Sequence, residues 1–415
     1  MITILCAGSR GDFQPYIALA QQLIKQGKNV RIAGPDNFKG FIEGYNINFY
    51  PINVNMDELD IDPKLLEDAG SSDNPLKMLL TFNKMKRYGL YTNTGYYKAC
   101  KDSELIIYHP GCTIGYFAAQ QLNIPAVLAS PFPIHRTNEY LSVVMYGKSK
   151  PSTFKKKLSY KLIQGMLWMA GKNSVKTFWK KEFGQLPKNF GAPYELHNNP
   201  KNPAIISCSN QIFNRPSDWN PHIHQKGYWF VEEAHDYTPD QTLVDFLNTG
   251  EKPIYIGFGS MSMIKKHKTL KETIIEGIKK SGRRAVILGF GHPDNLPDNI
   301  YALDSVPHTW LFKHVSAVCH HGGAGTSAAG FSAGVPSIIV PFSNDQFAWA
   351  HRSYDLGIGV KPIYINDLNS DNLSQTIIDA HEPTLIAKAK SVGSAIQLEN
   401  GAKECADIIV HLLEN

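Results

Sequence analysis

The chain opens Met1-Ile2-Thr3-Ile4-Leu5-Cys6-Ala7-Gly8-Ser9-Arg10-Gly11-Asp12-Phe13-Gln14-Pro15, and this stretch decides the fold. Ile2 to Cys6 is a short apolar run bounded by a glycine-rich turn, the mark of a buried strand. Pro15 stands where a first helical turn tolerates it. Ile17, Leu19, Ala20, Leu23 and Ile24 supply an apolar helical face, and Gly27 stops it. Val30 to Ala33 reads as the next strand. Strand, helix, strand is a βαβ unit, and it implies a parallel sheet.

The rhythm continues outward. Leu105-Ile106-Ile107-Tyr108 is a strand, Tyr116 to Leu122 a helix, and Pro125 to Ala129 another buried strand. Residues 138 to 200 break the pattern. They are rich in lysine, aromatic residues and methionine, and read as an insertion of amphipathic helices that suits a hydrophobic acceptor, a membrane surface or a solvated basic face. Ala204-Ile205-Ile206 and Lys226-Gly227-Tyr228 close the first half. After a polar stretch from Glu232, a second α/β unit starts at Pro253-Ile254-Tyr255-Ile256-Gly257-Phe258-Gly259-Ser260. A helix near Leu270 to Ser281, strands at Ala285 to Leu288, Ile300 to Ala302, Ala317 to Cys319 and Ser337 to Val340, and several helices follow. The expected division is residues 1–231, a linker over 232–250, a second domain over 251–398, and a C-terminal helix over 399–415 that packs back across the domains. Two doubly wound α/β domains in tandem would leave one cleft between them.

Bulk properties agree. A length of 415 residues suits two or three domains. Hydrophobic residues make up 43% and charged residues 19%, ordinary for a soluble globular protein. The formal charge of +5 is too small to mark a nucleic-acid binder. The six cysteines have no metal-ligand spacing, so no metal is expected, and buried thiols in a reducing cytoplasm are. The first residues lack a basic region and a cleavage site, so they read as a strand, not a signal peptide. No apolar run is long enough to span a membrane, though peripheral contact stays open.

Chemistry concentrates at three strand ends in the second half. His320-His321-Gly322-Gly323-Ala324-Gly325-Thr326 follows a strand and opens a helix. Glycines let backbone N–H groups approach an anion, the helix N-terminus adds partial positive charge, and Thr326 adds a hydroxyl. The stretch lacks the Lys-Ser/Thr pair of a P-loop and the spacing of a dinucleotide fingerprint. It reads as a diphosphate seat or as a packing turn. Pro341-Phe342-Ser343-Asn344-Asp345-Gln346 follows the next strand. Asp345 and Gln346 can read neighbouring sugar hydroxyls, or Asp345 can cap the next helix. Gly257-Phe258-Gly259-Ser260 adds a hydroxyl and backbone donors, or is a tight turn. In the first half, Asp12 ends strand one. It suits a general base, or a structural carboxylate bonded to loop amides or Arg10. His109 and His135 also follow strands and read as pocket walls or local hydrogen bonders.

These motifs together resemble the UDP-glycosyltransferase superfamily. Val306-Pro307-His308, Trp310-Leu311-Phe312, the glycine turn, Gly334-Val335-Pro336, Pro341-Phe342 and Asp345-Gln346 are similar to its donor signature. Gly8 through Pro15 resembles its opening loop. The flavour is that of sterol glucosyltransferases and bacterial antibiotic glycosyltransferases. The resemblance implies the GT-B arrangement, two Rossmann-like domains facing a central cleft, with the acceptor on the first domain and the donor on the second. It implies Asp12 as the base that deprotonates the acceptor, with Val306 holding it through backbone. His321, Gly323, Ala324, Gly325 and Thr326 would contact the diphosphate with Ser260 nearby, and Asp345 and Gln346 would bind the sugar. Ser9, Arg10, Gly11 and His308 complete the donor set. Two positions depart from the plant branch: Ala329 matches the ribose-binding Glu and Ser305 the stacking Trp, so uridine is implied less firmly than a nucleotide sugar.

The expected activity is therefore inverting transfer of a hexose, first of all glucose from UDP-glucose, to a hydroxyl of a lipophilic sterol, polyketide, phenol or lipid. The nucleotide sugar is a co-substrate and no cofactor is expected. A silent sugar-nucleotide-binding partner and a sugar-nucleotide epimerase are the alternatives.

Overall fold

The computed structural model describes residues 1–54, 86–148, 150–233, 237–259, 269–291, 296–342 and 345–414. In chain order the elements are β1 (Ile2–Leu5), α1 (Arg10–Lys25), β2 (Val30–Gly34), α2 (Lys39–Glu43), β3 (Asn48–Pro51), α3 (Lys86–Cys100), β4 (Leu105–Tyr108), α4 (Ile114–Leu122), β5 (Ala126–Ser130), α5 (Thr153–Phe183), β6 (Ala204–Ser207) and β7 (Ile223–Gly227). They continue with α6 (Gln241–Asn248), β8 (Ile254–Gly257), α7 (Leu270–Ser281), β9 (Ala285–Leu288), β10 (Ile300–Leu303), α8 (His308–Leu311), β11 (Val318–His320), α9 (Ala324–Ala333), β12 (Ser337–Ile339), α10 (Gln346–Asp355), α11 (Ser370–Asp379), α12 (Pro383–Gln397) and α13 (Gly401–Glu414).

The chain folds into two α/β units. One comprises residues 1–144, 151–234 and 399–415, the other 145–150 and 235–398. The first holds a seven-stranded sheet ordered β3-β2-β1-β4-β5-β6-β7, the second a five-stranded sheet ordered β10-β9-β8-β11-β12, and the pairing within these ladders is parallel. Helices cover both faces of such a sheet, so β1, β4, β5, β6 and β8 are buried at every position. That is why they appear in the sequence as unbroken apolar runs.

In the first unit α1 and α13 pack together beside β1. Ile17, Leu19, Ala20 and Leu23 join Cys405, Ala406 and Ile409 in one core. The C-terminal segment is pinned by close approach: a Cβ on Gly401 would meet the Gly227 carbonyl oxygen at 2.5 Å. The six cysteines are free and buried.

The lysine-rich insertion differs from its expectation of several helices. Its main element is α5, a single helix of 31 residues. Ser152 caps it by accepting the Lys155 N–H, and Gly184 ends it in the left-handed region at φ 71°. Neither Gly165 nor Gly171 breaks it. Phe178 and Trp179 anchor its end against Tyr97, and Trp179 also meets Phe117. Tertiary packing of these rings outweighs the glycine cost of about 1 kcal/mol each.

Candidate active site

At the carboxyl end of β1 the backbone turns through Gly8, and Ser9 caps α1. Asp12 lies in the first turn of that helix and its carboxylate reaches back. Oδ2 accepts the Ser9 backbone N–H at 2.6 Å and the Ser9 hydroxyl at 2.9 Å. This half of a capping box holds the carboxylate in place. Gly8 makes room for it: φ is +123°, and a Cβ there would stand 2.4 Å from Oδ2. Among the described residues Oδ1 accepts no hydrogen bond, so one oxygen remains open. Arg10 makes no ion pair with Asp12; its guanidinium lies 4.5 Å over the Phe41 ring. Gly11 is exposed, and a Cβ there would touch nothing closer than the Ser9 hydroxyl at 3.8 Å.

His109 joins this corner. Its N–H bonds the Leu5 carbonyl at 2.9 Å, which sets it beside the end of β1. Its Nδ1 accepts the Gly111 N–H at 3.0 Å, so in the neutral ring the proton sits on Nε2. The ring packs edge-on to Tyr16, one turn beyond Asp12 on α1. Burial pushes the imidazole below its ordinary range, and the Asp12 charge pulls it back. His109 is thus a local hydrogen bonder, as the sequence allowed, whose imidazole also feels the Asp12 charge. His135 instead is buried against Trp219 and driven down to about 4 by burial.

In the second unit the three motif strands are adjacent. His320 registers with Gly257 of β8 and with Ile339 of β12, so their following loops share one sheet edge. Ligands of open parallel sheets bind at this edge. Gly322 takes φ +92°, and its N–H bonds His320 Nδ1 at 3.0 Å. Buried His320 therefore shapes the turn, leaving His321 to face the loops. A Cβ on Gly323 would stand 2.8 Å from His321 Nε2, and one on Gly259 would stand 3.4 Å from its Cε1. The imidazole is thus laid between two glycines. Burial lowers it to about 4, so at neutral pH it offers hydrogen bonds rather than charge. Its Nδ1 is buried without a partner among the described residues. Gly323 caps α9 with no side chain, leaving Ala324, Gly325 and Thr326 in a first turn whose N–H groups can meet an anion.

Gln346 adjoins this turn: a Cβ on Gly322 would lie 3.2 Å from the Gln346 Cβ. Gln346 Oε1 accepts the Phe342 N–H at 2.8 Å. Asp345 occupies the N-cap position of α10 but makes no side-chain cap bond. Its Oδ2 instead accepts the Trp349 indole N–H at 2.9 Å. Trp349 was invisible as a site residue in the sequence. Its helical spacing from Asp345, four residues on, was the available signal. His308 begins α8, stacks on Phe312 and shares a 3.0 Å hydrogen bond with the Tyr255 hydroxyl. Val306 lies just before it, packed partly against the core cluster of Leu311 and Phe312. Ser260 lies outside the described residues. Among the described residues, no group of three His, Cys, Asp or Glu side chains gathers as metal ligands.

Known proteins match this chain. Residues 2–141 fit the glycosyltransferase family 28 N-terminal domain, and residues 290–412 the erythromycin biosynthesis protein CIII-like C-terminal domain. A sterol 3-beta-glucosyltransferase of Arabidopsis thaliana is 30% identical over 98% of this chain and 67% of its own length. The chain belongs to the glycosyltransferase superfamily that contains the sterol 3-beta-glucosyltransferases. A second member, from Yarrowia lipolytica, is 33% identical over 97% of this chain, which spans only 28% of that longer protein. Among solved structures the kitacinnamycin glycosyltransferase superposes with a TM-score of 0.73 at 17% identity, covering 99% of this chain and 98% of its own. That likeness establishes the shared fold: two parallel-sheet α/β domains of the GT-B class.

Proposed function

We propose that the chain transfers a hexose, in the first instance glucose from UDP-glucose, to a hydroxyl of a lipophilic small molecule such as a sterol, polyketide, phenol or lipid, with inversion at the anomeric carbon. The observation that carries this reading is the Asp12 carboxylate, fixed by Ser9 through Oδ2, while Oδ1 accepts no hydrogen bond among the described residues. A base must be positioned before the acceptor arrives, and a positioned base contributes roughly 10²–10⁴-fold. Oδ1 would take the acceptor proton as the new C–O bond forms. Nε2–H of His109 would orient either that carboxylate or the acceptor oxygen.

The donor diphosphate would rest on the first turn of α9, over His321, Gly323, Ala324, Gly325 and Thr326, with Ser260 nearby. As the glycosidic bond breaks, negative charge grows on the leaving phosphate. Backbone N–H groups and the neutral His321 ring meet that charge without reorganising, so the scheme uses no metal and no cofactor. Asp345 and Gln346 would hold the sugar hydroxyls. Val306 and His308 would complete the donor-binding set on the second unit, and Ser9, Arg10 and Gly11 on the opening loop of the first. Because Ala329 and Ser305 replace a ribose-binding Glu and a stacking Trp, dTDP-sugars belong beside UDP-sugars in the test.

A cytoplasmic location fits six free, buried thiols. Among the described residues no helix is long and apolar enough to cross a membrane.

The test is nucleotide release from a panel of UDP- and dTDP-sugars, with and without a mixture of lipophilic alcohols, for the natural chain and Asp12→Asn. Acceptor-dependent release that the substitution abolishes supports the reading. Nucleotide binding without release for any pair would point to a silent binding partner, and release unaffected by Asp12→Asn would overturn the mechanism.

A further inference from the structure

The helix α5 carries a surface that the transfer scheme does not use. Phe154, Leu158, Leu162 and Met169 are 74, 36, 41 and 46% exposed, large apolar side chains on a helix whose other face is buried. At about 100° per residue their positions fall within about 80° of the helix circumference. Lys172, Lys176 and Lys180 continue the same sector toward the C-terminal end. Lys157 and Lys161 flank the apolar part. The helix carries eight lysines against one glutamate. Among the described residues, none of Lys157, Lys161, Lys172, Lys176 and Lys180 forms an ion pair.

A hollow of about 380 Å³ opens beside the stripe, between Phe154, Lys157, Leu158 and Lys161 on the helix and Arg136, Thr137, Asn138 and Asp218 opposite. Asp218 is already engaged, accepting the Thr137 hydroxyl at 2.6 Å and the Asn138 N–H at 2.7 Å. Arg136 has Glu195 at 3.5 Å. The hollow is therefore bordered by three cations, with its one carboxylate spent on hydrogen bonds.

We propose that this face of α5 docks on an anionic lipid bilayer. Phe154, Leu158, Leu162 and Met169 enter the interface between headgroups and acyl chains. The lysines meet the headgroup phosphates, and one headgroup enters the hollow. An exposed apolar stripe bordered by unpaired lysines is complementary to that surface in both charge and polarity. A water-exposed protein partner would not require four unpartnered apolar side chains next to five uncompensated cations, whereas a bilayer satisfies both at once. The proposal extends the lipophilic-acceptor reading, because a bilayer is where such acceptors dissolve, but its test does not use catalysis.

The test is co-sedimentation of the full chain with phosphatidylcholine vesicles and with vesicles containing one third phosphatidylserine. Expected is binding to the second that weakens at least tenfold between 0.05 and 0.5 M salt, on the order of magnitude set by screening and by one phosphate contact per lysine. The triple variant Phe154→Ser, Leu158→Ser, Leu162→Ser and the charge variant Lys172→Glu, Lys176→Glu should each lose at least tenfold in vesicle affinity. Both should keep the natural melting temperature and nucleotide binding, since the altered side chains face solvent. Equal binding of natural and variant chains, or binding indifferent to phosphatidylserine, would overturn the proposal. So would a concentration-dependent dimer that the triple variant abolishes, which would assign the stripe to a second copy of the chain.

Discussion

The Oδ2 oxygen of Asp12 accepts the backbone N–H of Ser9 at 2.6 Å, so the candidate base is also half of a helix cap. The two roles use different oxygens. Capping consumes Oδ2, while Oδ1 accepts no hydrogen bond among the described residues. Asp12→Asn should therefore separate them. Asparagine can still accept from Ser9, so the melting temperature should change by no more than a few degrees, while kcat falls roughly 10²–10⁴-fold. A kcat measured beside a thermal melt checks both; a large loss of stability would mean that the cap is the residue's main work.

Gly8→Ala should act on Asp12 from outside. The new Cβ would stand 2.4 Å from Oδ2, at a φ of +123° that alanine rarely adopts. The backbone strain alone costs on the order of 1–2 kcal/mol. Displacement of the carboxylate should lower kcat at least tenfold, with the donor KM little changed. Steady-state kinetics in both substrates distinguish this from a general loss of fold.

Gly323→Ala should report on the donor side. Its Cβ would press on His321 Nε2 at 2.8 Å. The ring must shift, and the N-terminal turn of α9 shifts with it. Nucleotide affinity, followed by calorimetry with UDP alone, should fall roughly tenfold, while Asp12-dependent chemistry at saturating donor is less affected.

Trp349→Phe removes the indole N–H that Asp345 Oδ2 accepts at 2.9 Å. If Asp345 reads the sugar, this positioning bond matters for the sugar but not for the nucleotide. Hydrogen bonds to a charged group are worth about 1.5–3 kcal/mol, which is tenfold or more in a binding constant. KM for UDP-glucose should rise by that order, with UDP affinity unchanged.

His197 predicts an acid limit to stability. Its Nδ1 donates to the Asn202 and Pro203 carbonyls and its Nε2 accepts from the Tyr108 hydroxyl at 2.6 Å, an arrangement only the neutral ring can make. Burial first, then the neighbouring His135, lowers it to about 3. The unfolded ring protonates near 6.5. Between those values the unfolded chain binds the extra proton, so stability is full above about 6.5 and falls as the pH drops toward 3, by about 1.4 kcal/mol per pH unit at the steepest. Urea midpoints at pH 7 and pH 5 should show the decline, and His197→Gln should flatten it.

Much of the fold was readable because parallel strands buried on both faces become unbroken apolar runs. β1, β4, β5 and β8 appear so in the sequence, and the structure places strands there. The insertion was less readable. Glycine is a poor helix former, yet α5 runs unbroken through Gly165 and Gly171, and rings from distant segments pack on its C-terminal part.

What the sequence alone determined is local: a βαβ opening, a glycine turn that must approach something closely, and polar residues at the ends of strands. Glycine positions and strand periodicity are written in neighbouring residues, so they can be read without coordinates. What only the tertiary structure decided is non-local. It set His109 at the end of β1 and against the Tyr16 ring of α1 through the pairing of β4 with β1, and it set His321 between Gly259 and Gly323 through the pairing of β11 with β8. It also divided the faces of α5 into a buried one and an exposed apolar one. Each of these depends on which segment packs against which, and burial and strand register, not nearest-neighbour chemistry, settle that.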